Sequence, residues 1–163
     1  EDDVFPIAQK SLDSINWEDY NAVVISDYCK GFIDENTIKY ISKQHPITFL
    51  DTKKQIGSWV KDITFIKIND VEYRYSEKFI DNNYKDSLII TRGSNGAEYK
   101  GNTYPVKKVD VKDTSGAGDS FLAGLVGNYL ETYNIVEAIK FANKCATQVV
   151  QKKGTAKINK NEI

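Results

Sequence analysis

Ala22-Val23-Val24-Ile25-Ser26-Asp27 is a short apolar run, rich in β-branched residues, that stops abruptly at two polar side chains. Three similar runs follow. Ile47-Thr48-Phe49-Leu50 ends at Asp51, Phe65-Ile66-Lys67-Ile68 ends at Asn69, and Leu88-Ile89-Ile90-Thr91 ends at Arg92-Gly93. Between the first two, Asp34 is placed to cap a helix carrying Ile38 and Ile41 that ends near His45-Pro46. Upstream, Val4, Ile7, Ala8, Leu12 and Ile15 follow helical spacing. Nearly continuous apolar strands separated by helices imply an α/β fold, a mostly parallel sheet covered on both faces. In such sheets ligands bind outside the carboxyl ends of the strands. Asp27, Asp51, Asn69 and Arg92 are therefore expected to face one crevice.

The pattern changes after Gly93. Ala97-Glu98-Tyr99-Lys100, Gly101-Asn102 and Thr103-Tyr104-Pro105-Val106 read as a β-hairpin whose second strand lies at an edge, because Pro105 has no amide to donate. Two helices complete the chain. The first begins around Gly116 and carries Phe121, Leu122, Leu125, Val126 and Leu130. The second is opened by Asn134 with Glu137 three residues on, a capping-box arrangement. It carries Ile135, Ala138, Ile139, Ala142, Ala146, Val149 and Val150, an arc wide enough to be well buried.

The chain has 163 residues, enough for a core. Its 22 Lys and Arg against 23 Asp and Glu leave a net charge of −1, which argues against a nucleic-acid surface. No apolar run approaches the roughly 18 residues of a membrane span. Cys29 and Cys145 form neither a disulfide framework nor a zinc pattern, so a cytoplasmic setting is expected. The sequence contains no Met and starts at Glu1, which reads as a piece of a longer polypeptide.

Asp113-Thr114-Ser115-Gly116-Ala117-Gly118-Asp119-Ser120 carries the chemistry. Two glycines strip side chains from a turn that feeds a helix, and the first amides of a helix lack intrahelical partners and carry the positive end of its dipole. An anion can approach them closely. Asp119, in the first turn, is placed to take a proton from a hydroxyl as that hydroxyl attacks phosphorus. The competing reading is a turn with Asp119 as a helix cap. The stretch is not a Walker A loop, and Phe121 occupies the third glycine of a dinucleotide fingerprint.

Asp-Thr-x-Gly-Ala-Gly-Asp resembles the signature of the ribokinase-like, or PfkB, carbohydrate kinases. Asn69-Asp70-Val71-Glu72 resembles the family's Asn-x-x-Glu motif, Thr91-Arg92-Gly93 a strand end bordering the nucleotide, and Phe141-Ala142-Asn143 a helix near the adenine. Lys153-Gly154-Thr155 resembles the loop that closes the nucleotide site. Ser26-Asp27-Tyr28-Cys29-Lys30-Gly31, Asp51-Thr52-Lys53 and Lys152-Lys153-Gly154-Thr155-Ala156 are similar to the D-glycero-D-manno-heptose 7-phosphate kinase branch, with Cys29 where Gly is usual and Thr52 where Pro is usual. The resemblance runs from about Val23 to about Ile158 and implies a three-layer ribokinase-like fold.

It also implies roles. Asp119 is the catalytic base, and the amides of Gly116, Ala117 and Gly118 form the anion hole. Thr91, Arg92, Gly93, Asn143 and Gly154 bind nucleotide, and Asn69 and Glu72 organise Mg²⁺ and phosphate through waters. Asp27, Lys30, Asp51 and Lys53 approach substrate or phosphate, and Asp113 helps hold a monovalent cation such as K⁺. Each has a plainer alternative: a helix cap for Asn69 and Glu72, a turn-former for Asp113, surface lysines for Lys30 and Lys53, and a satisfied carbonyl for Asn143. The cofactors implied are ATP and Mg²⁺, the partner a sugar phosphate, with neither nucleic acid nor membrane, and the full-length protein a homodimer. Residues 1–163 would then be the C-terminal, nucleotide-binding and catalytic part of one kinase domain. A sugar-binding and lid half would precede it, and the isolated piece would be inactive. The competing functions are a PfkB kinase for another sugar or nucleoside, and a non-catalytic nucleotide-binding module.

Overall fold

In a computed structural model of the protein, residues 5–154 and 156–159 are described. The chain divides into two compact units, Glu1–Thr91 and Arg92–Ile163.

The first unit is built on β1 (Val23–Asp27), β2 (Thr48–Thr52), β3 (Phe65–Asn69) and β4 (Leu88–Thr91), neighbours in that order and all parallel. The first three strands run past the apolar stretches that announce them. The polar residues ending those stretches still pair with their neighbours, Ser26 with Asp51 and Asp27 with Thr52. Helices α1 (Gln9–Asp13), α2 (Glu35–Ile41) and α3 (Asp70–Ser76) complete the unit with short 3₁₀ turns.

Strand alternation sorts the sheet into two faces. Ile25, Leu50, Ile66, Ile68, Leu88 and Ile90 line one and join Leu12 of α1, Ile38 and Ile41 of α2, and Tyr84 in a single core. Trp17 and Trp59 pack against that core, as anchors. The other face carries Phe49, Phe65 and Ile89, all buried, with the two phenyl rings 5.2 Å apart between centroids.

Two helices are shorter than their periodicity suggests. The first spans only Gln9–Asp13 of the expected Val4–Ile15; Val4 lies outside the described residues. Ala8 at its N-cap has no side chain to bond an amide, and Pro6 favours extended backbone before it. The second is capped as expected, with Thr37 N donating to Asp34 Oδ1 at 2.7 Å, but stops at Ile41. His45 lies beyond it and clamps the entry to β2. Its Nδ1 accepts from Ile47 N at 3.0 Å, which leaves Nε2 to donate to the Tyr20 carbonyl at 2.9 Å.

The second unit contains the antiparallel hairpin β5 (Ala97–Tyr99) and β6 (Asn102–Tyr104), then α4 (Ala117–Thr132) and α5 (Ile135–Val150). The turn lies one residue earlier than expected, at Lys100-Gly101, because Asn102 already pairs with Tyr99. Both turn residues have positive φ, 49° and 74°, as a two-residue primed turn requires. Gly96 is needed for space: a Cβ there would lie 2.1 Å from the Tyr104 carbonyl oxygen.

The helices pack closely where Gly124 meets α5. A Cβ on Gly124 would lie 2.7 Å from Cys145 Sγ and 3.2 Å from Ala142 Cα. Cys145 is therefore a buried packing residue. Asn134 caps α5, its Oδ1 accepting from Val136 N at 3.0 Å and Glu137 N at 3.2 Å. The reciprocal half of the expected capping box does not form: Asn134 N donates to Thr132 Oγ1 at 3.2 Å, and Glu137 pairs with Lys140 at 3.1 Å. Among the described residues no helix is long and apolar enough to cross a membrane.

Candidate active site

In the first unit, charged residues cluster at the carboxyl ends of β1 to β3, but strand alternation separates them into two groups. Asp27 follows Ile25 by two residues and so lies on the face of the main core. Its Oδ1 accepts from Cys29 N at 2.9 Å, and its Oδ2 from Thr52 Oγ1 at 2.7 Å and Lys54 Nζ at 2.6 Å. Lys54 also donates to the Ile33 carbonyl at 2.7 Å. Burial works against the Asp27 charge, yet the Lys54, Thr52 and Cys29 donors outweigh it and hold the carboxyl below its ordinary value. The single crevice expected for Asp27, Asp51 and Asn69 is thus divided by the two-residue period of the strand. Lys30 is exposed in the loop after β1, where Cys29 and Gly31 both take positive φ.

The opposite face holds Asp51 and Lys67, partners in the β2–β3 register, joined at 2.8 Å. Lys67 is 3 % exposed. Burial dominates at Asp51 and raises its pKa despite Lys67. Asn69, two residues beyond Lys67, opens α3 with a complete capping box. Asn69 Oδ1 accepts from Glu72 N at 2.9 Å while Glu72 Oε2 accepts from Asn69 N at 2.7 Å. Glu72 Oε1 also accepts from Asn69 Nδ2 at 2.9 Å and from Lys53 Nζ at 2.6 Å. Burial disfavours the Lys53 charge, but the Glu72 hydrogen bond and charge prevail and raise its pKa. Thr91, at the end of β4, donates weakly to the Ile68 carbonyl at 3.4 Å.

In the second unit the candidate groups gather around the start of α4 and the hairpin. Gly116, at the N-cap of α4, has φ 76°, and a Cβ there would meet nothing within 4 Å. Backbone conformation, and not crowding, therefore requires glycine. Of the three expected anion-hole amides, that of Ala117 is engaged with the Thr114 carbonyl at 3.2 Å. Asp119 is exposed in the first turn.

Asp113 ties two loops together. Its Oδ1 accepts from Ser115 N at 2.8 Å and its Oδ2 from Gly154 N at 3.0 Å, and these amides, Ser115 first, hold its pKa down. Gly154 has φ 70°, while Thr155 lies outside the described residues. Asn143 is buried, and its Nδ2 donates to the Tyr104 carbonyl at 2.8 Å, fastening α5 to the hairpin. Arg92 pairs with Glu98 at 2.9 Å, and its amide donates to the Gly96 carbonyl across the turn containing Gly93.

A family model described as pfkB family carbohydrate kinase matches residues 22–162. The chain belongs to that family. The pfkB chain is 28% identical to a bifunctional protein HldE of Marinomonas over 88% of its length and 34% of the relative's. It is 30% identical to a probable fructokinase-2 of Arabidopsis thaliana over 64% of its length and 38% of the relative's. Among solved structures, a ribokinase from Thermotoga maritima superposes with a TM-score of 0.70 at 21% identity, covering 91% of this chain and 57% of that one. An Arabidopsis thaliana ribokinase complexed with ribose and ATP gives 0.68 at 19%. These likenesses show the ribokinase-like α/β fold. The chain spans about a third of the length of the HldE relatives and just over half of the ribokinases.

Two residues of this pfkB chain's polar clusters escape a reading by motif. Lys54 holds Asp27, and Lys67 holds Asp51. The available signal for Lys67 is its oddity, a lysine inside an apolar run. For Lys54 there is none, since it stands beside another lysine. The oxygen donors of Asn69 and Glu72 fit a hard cation such as Mg²⁺, which keeps several waters and takes few protein ligands. Both Glu72 oxygens are already bonded within the protein, so contact through such waters suits them.

Proposed function

We propose that the full-length protein is a cytoplasmic, ATP- and Mg²⁺-dependent sugar kinase. Its substrate would be D-glycero-D-manno-heptose 7-phosphate, phosphorylated on the anomeric hydroxyl to the 1,7-bisphosphate for ADP-heptose and lipopolysaccharide synthesis. The observation that carries the kinase reading is the start of α4, where a left-handed Gly116 opens the helix and Asp119 stands exposed in its first turn. Asp119 would accept the proton of the attacking hydroxyl. The helix-start amides of Gly116 and Gly118 would stabilise charge on the transferring phosphoryl group, that of Ala117 being engaged with Thr114. Mg²⁺, when bound, neutralises phosphate charge. Asn69 and Glu72 would orient its waters, with Lys53 tempering the Glu72 charge. Asp113, bonded to Ser115 and Gly154, would hold the loops on either side of the nucleotide in register. Thr91, Arg92, Gly93 and Asn143 would border the nucleotide, and Lys30 would meet substrate phosphate. A K⁺ site beside Asp113 and a homodimer of the full-length protein belong to the same reading.

The heptose assignment is supported by the resemblance of the Ser26–Gly31 and Asp51–Lys53 stretches to that kinase branch. Matches to fructokinases at 30% and 33% identity favour a second reading, a pfkB kinase for another sugar. A coupled ADP-release assay on the full-length protein, offered heptose 7-phosphate, fructose 6-phosphate, fructose and ribose, decides between them. Preference for the heptose phosphate is expected; preference for another sugar transfers the assignment to it, and no turnover with any of them rejects both.

A further inference from the structure

Lys67 has no part in the reading above. It lies within a parallel strand, almost wholly buried, and a lysine there is costly unless paired. Its partner Asp51 has two oxygens. Oδ2 takes Lys67, whereas Oδ1, also buried, accepts no hydrogen bond among the described residues. Strand alternation puts a second ammonium on the same side, that of Lys53 two residues beyond Asp51 at the end of β2, and each feels the other's charge. Lys53 nevertheless bonds Glu72, at 2.6 Å, on a side chain 42% exposed and so free to swing. Two carboxylates thus compete for one mobile ammonium. The buried ammonium of Lys67 decides the competition, because a neutralised Asp51 attracts Lys53 less than Glu72 does.

We propose that Lys67 is a positioning residue: by occupying Asp51 it leaves Lys53 on Glu72, and so sets the charge of the Asn69–Glu72 capping box. The consequence for nucleotide binding rests on the kinase reading; the placement of Lys53 does not.

Crystal structures of Lys67→Met and Asp51→Asn in the full-length protein test the placement. Both variants break the same buried pair. In Lys67→Met, at a pH high enough to keep Asp51 ionised, Lys53 is expected to leave Glu72 for Asp51. In Asp51→Asn it is expected to stay. Lys53 remaining on Glu72 in the first, or leaving it in the second, overturns the proposal. Lys67→Gln, which keeps a neutral donor to Asp51, serves if the methionine variant does not fold, with the same displacement expected.

A double-mutant cycle gives the second readout, ATP binding by calorimetry as Mg²⁺ is varied. Glu72 without its ammonium attracts a divalent cation more strongly. Lys53→Met and Lys67→Met should each lower the half-saturating Mg²⁺ severalfold, and the double variant no further than either alone. Additive effects would mean that Lys67 does not act through Lys53. If the unmodified protein binds no Mg-ATP, the kinase reading fails, while the position of Lys53 still decides this proposal.

Discussion

The two units build their polar sites by opposite means. At the carboxyl ends of β1 to β3, buried carboxylates are each paired with an ammonium: Asp27 with Lys54, Asp51 with Lys67, Glu72 with the more exposed Lys53. At the start of α4, the polar groups are backbone amides and an exposed carboxylate. A paired buried charge loses much of its stabilisation when one partner goes. A helix-start amide needs no partner side chain, only a turn that leaves it uncovered. The first arrangement ties chemistry to stability, and the second leaves chemistry separable from it.

The largest test of that contrast is Asp119→Asn in the full-length protein. Loss of a positioned base should cut turnover by about 10³-fold, with thermal stability and ATP affinity nearly unchanged. Turnover within a few-fold of the parent would return Asp119 to a helix cap. In the first unit the order of effects reverses. Lys54→Met leaves the Asp27 carboxylate buried beside Thr52 and should cost about 3 kcal/mol in urea unfolding. A loss below about 1 kcal/mol would show that this pair behaves as a surface one.

A packing test in the second unit is smaller. Gly124→Ala gains helix propensity but drives a methyl into Cys145, for a net loss of about 1–2 kcal/mol. The loss should shrink in a Cys145→Ala background, and an equal loss in both backgrounds would move the clash elsewhere. The smallest effect is on pH dependence. The folded pKa of Asp27 lies below its ordinary 3.8, so its contribution is present above about pH 4 and fades as pH falls through the folded value. Asp51 has the opposite sign: its raised pKa makes the ionised form costly, and acid relieves that cost. Asp27→Asn should therefore flatten the acid limb of stability, read from urea melts between about pH 5 and pH 3. An unchanged limb would assign the acid sensitivity to other groups.

The parallel strands were legible because the apolar runs are short and nearly continuous, and caps such as Asp34 and Asn134 because a small polar side chain precedes a helical pattern. The glycine-rich turn was legible because two glycines just ahead of an apolar helical pattern mark a turn that feeds a helix. Strand ends and the hairpin turn were not. Backbone pairing, which carries no residue code, extends β2 to Thr52 and places the turn at Lys100-Gly101.

By itself, then, the sequence determined which residue types stand at each strand end and at the head of α4, since periodicity and glycine placement are local properties. Only the tertiary structure decided which charges meet. Asp27 takes Lys54, 27 residues away, Asp51 takes Lys67, 16 away, and Glu72 takes Lys53, 19 away. Those partnerships follow from strand register and from the alternation of side chains across the sheet. They are properties of neighbouring strands, and no single stretch of chain contains them.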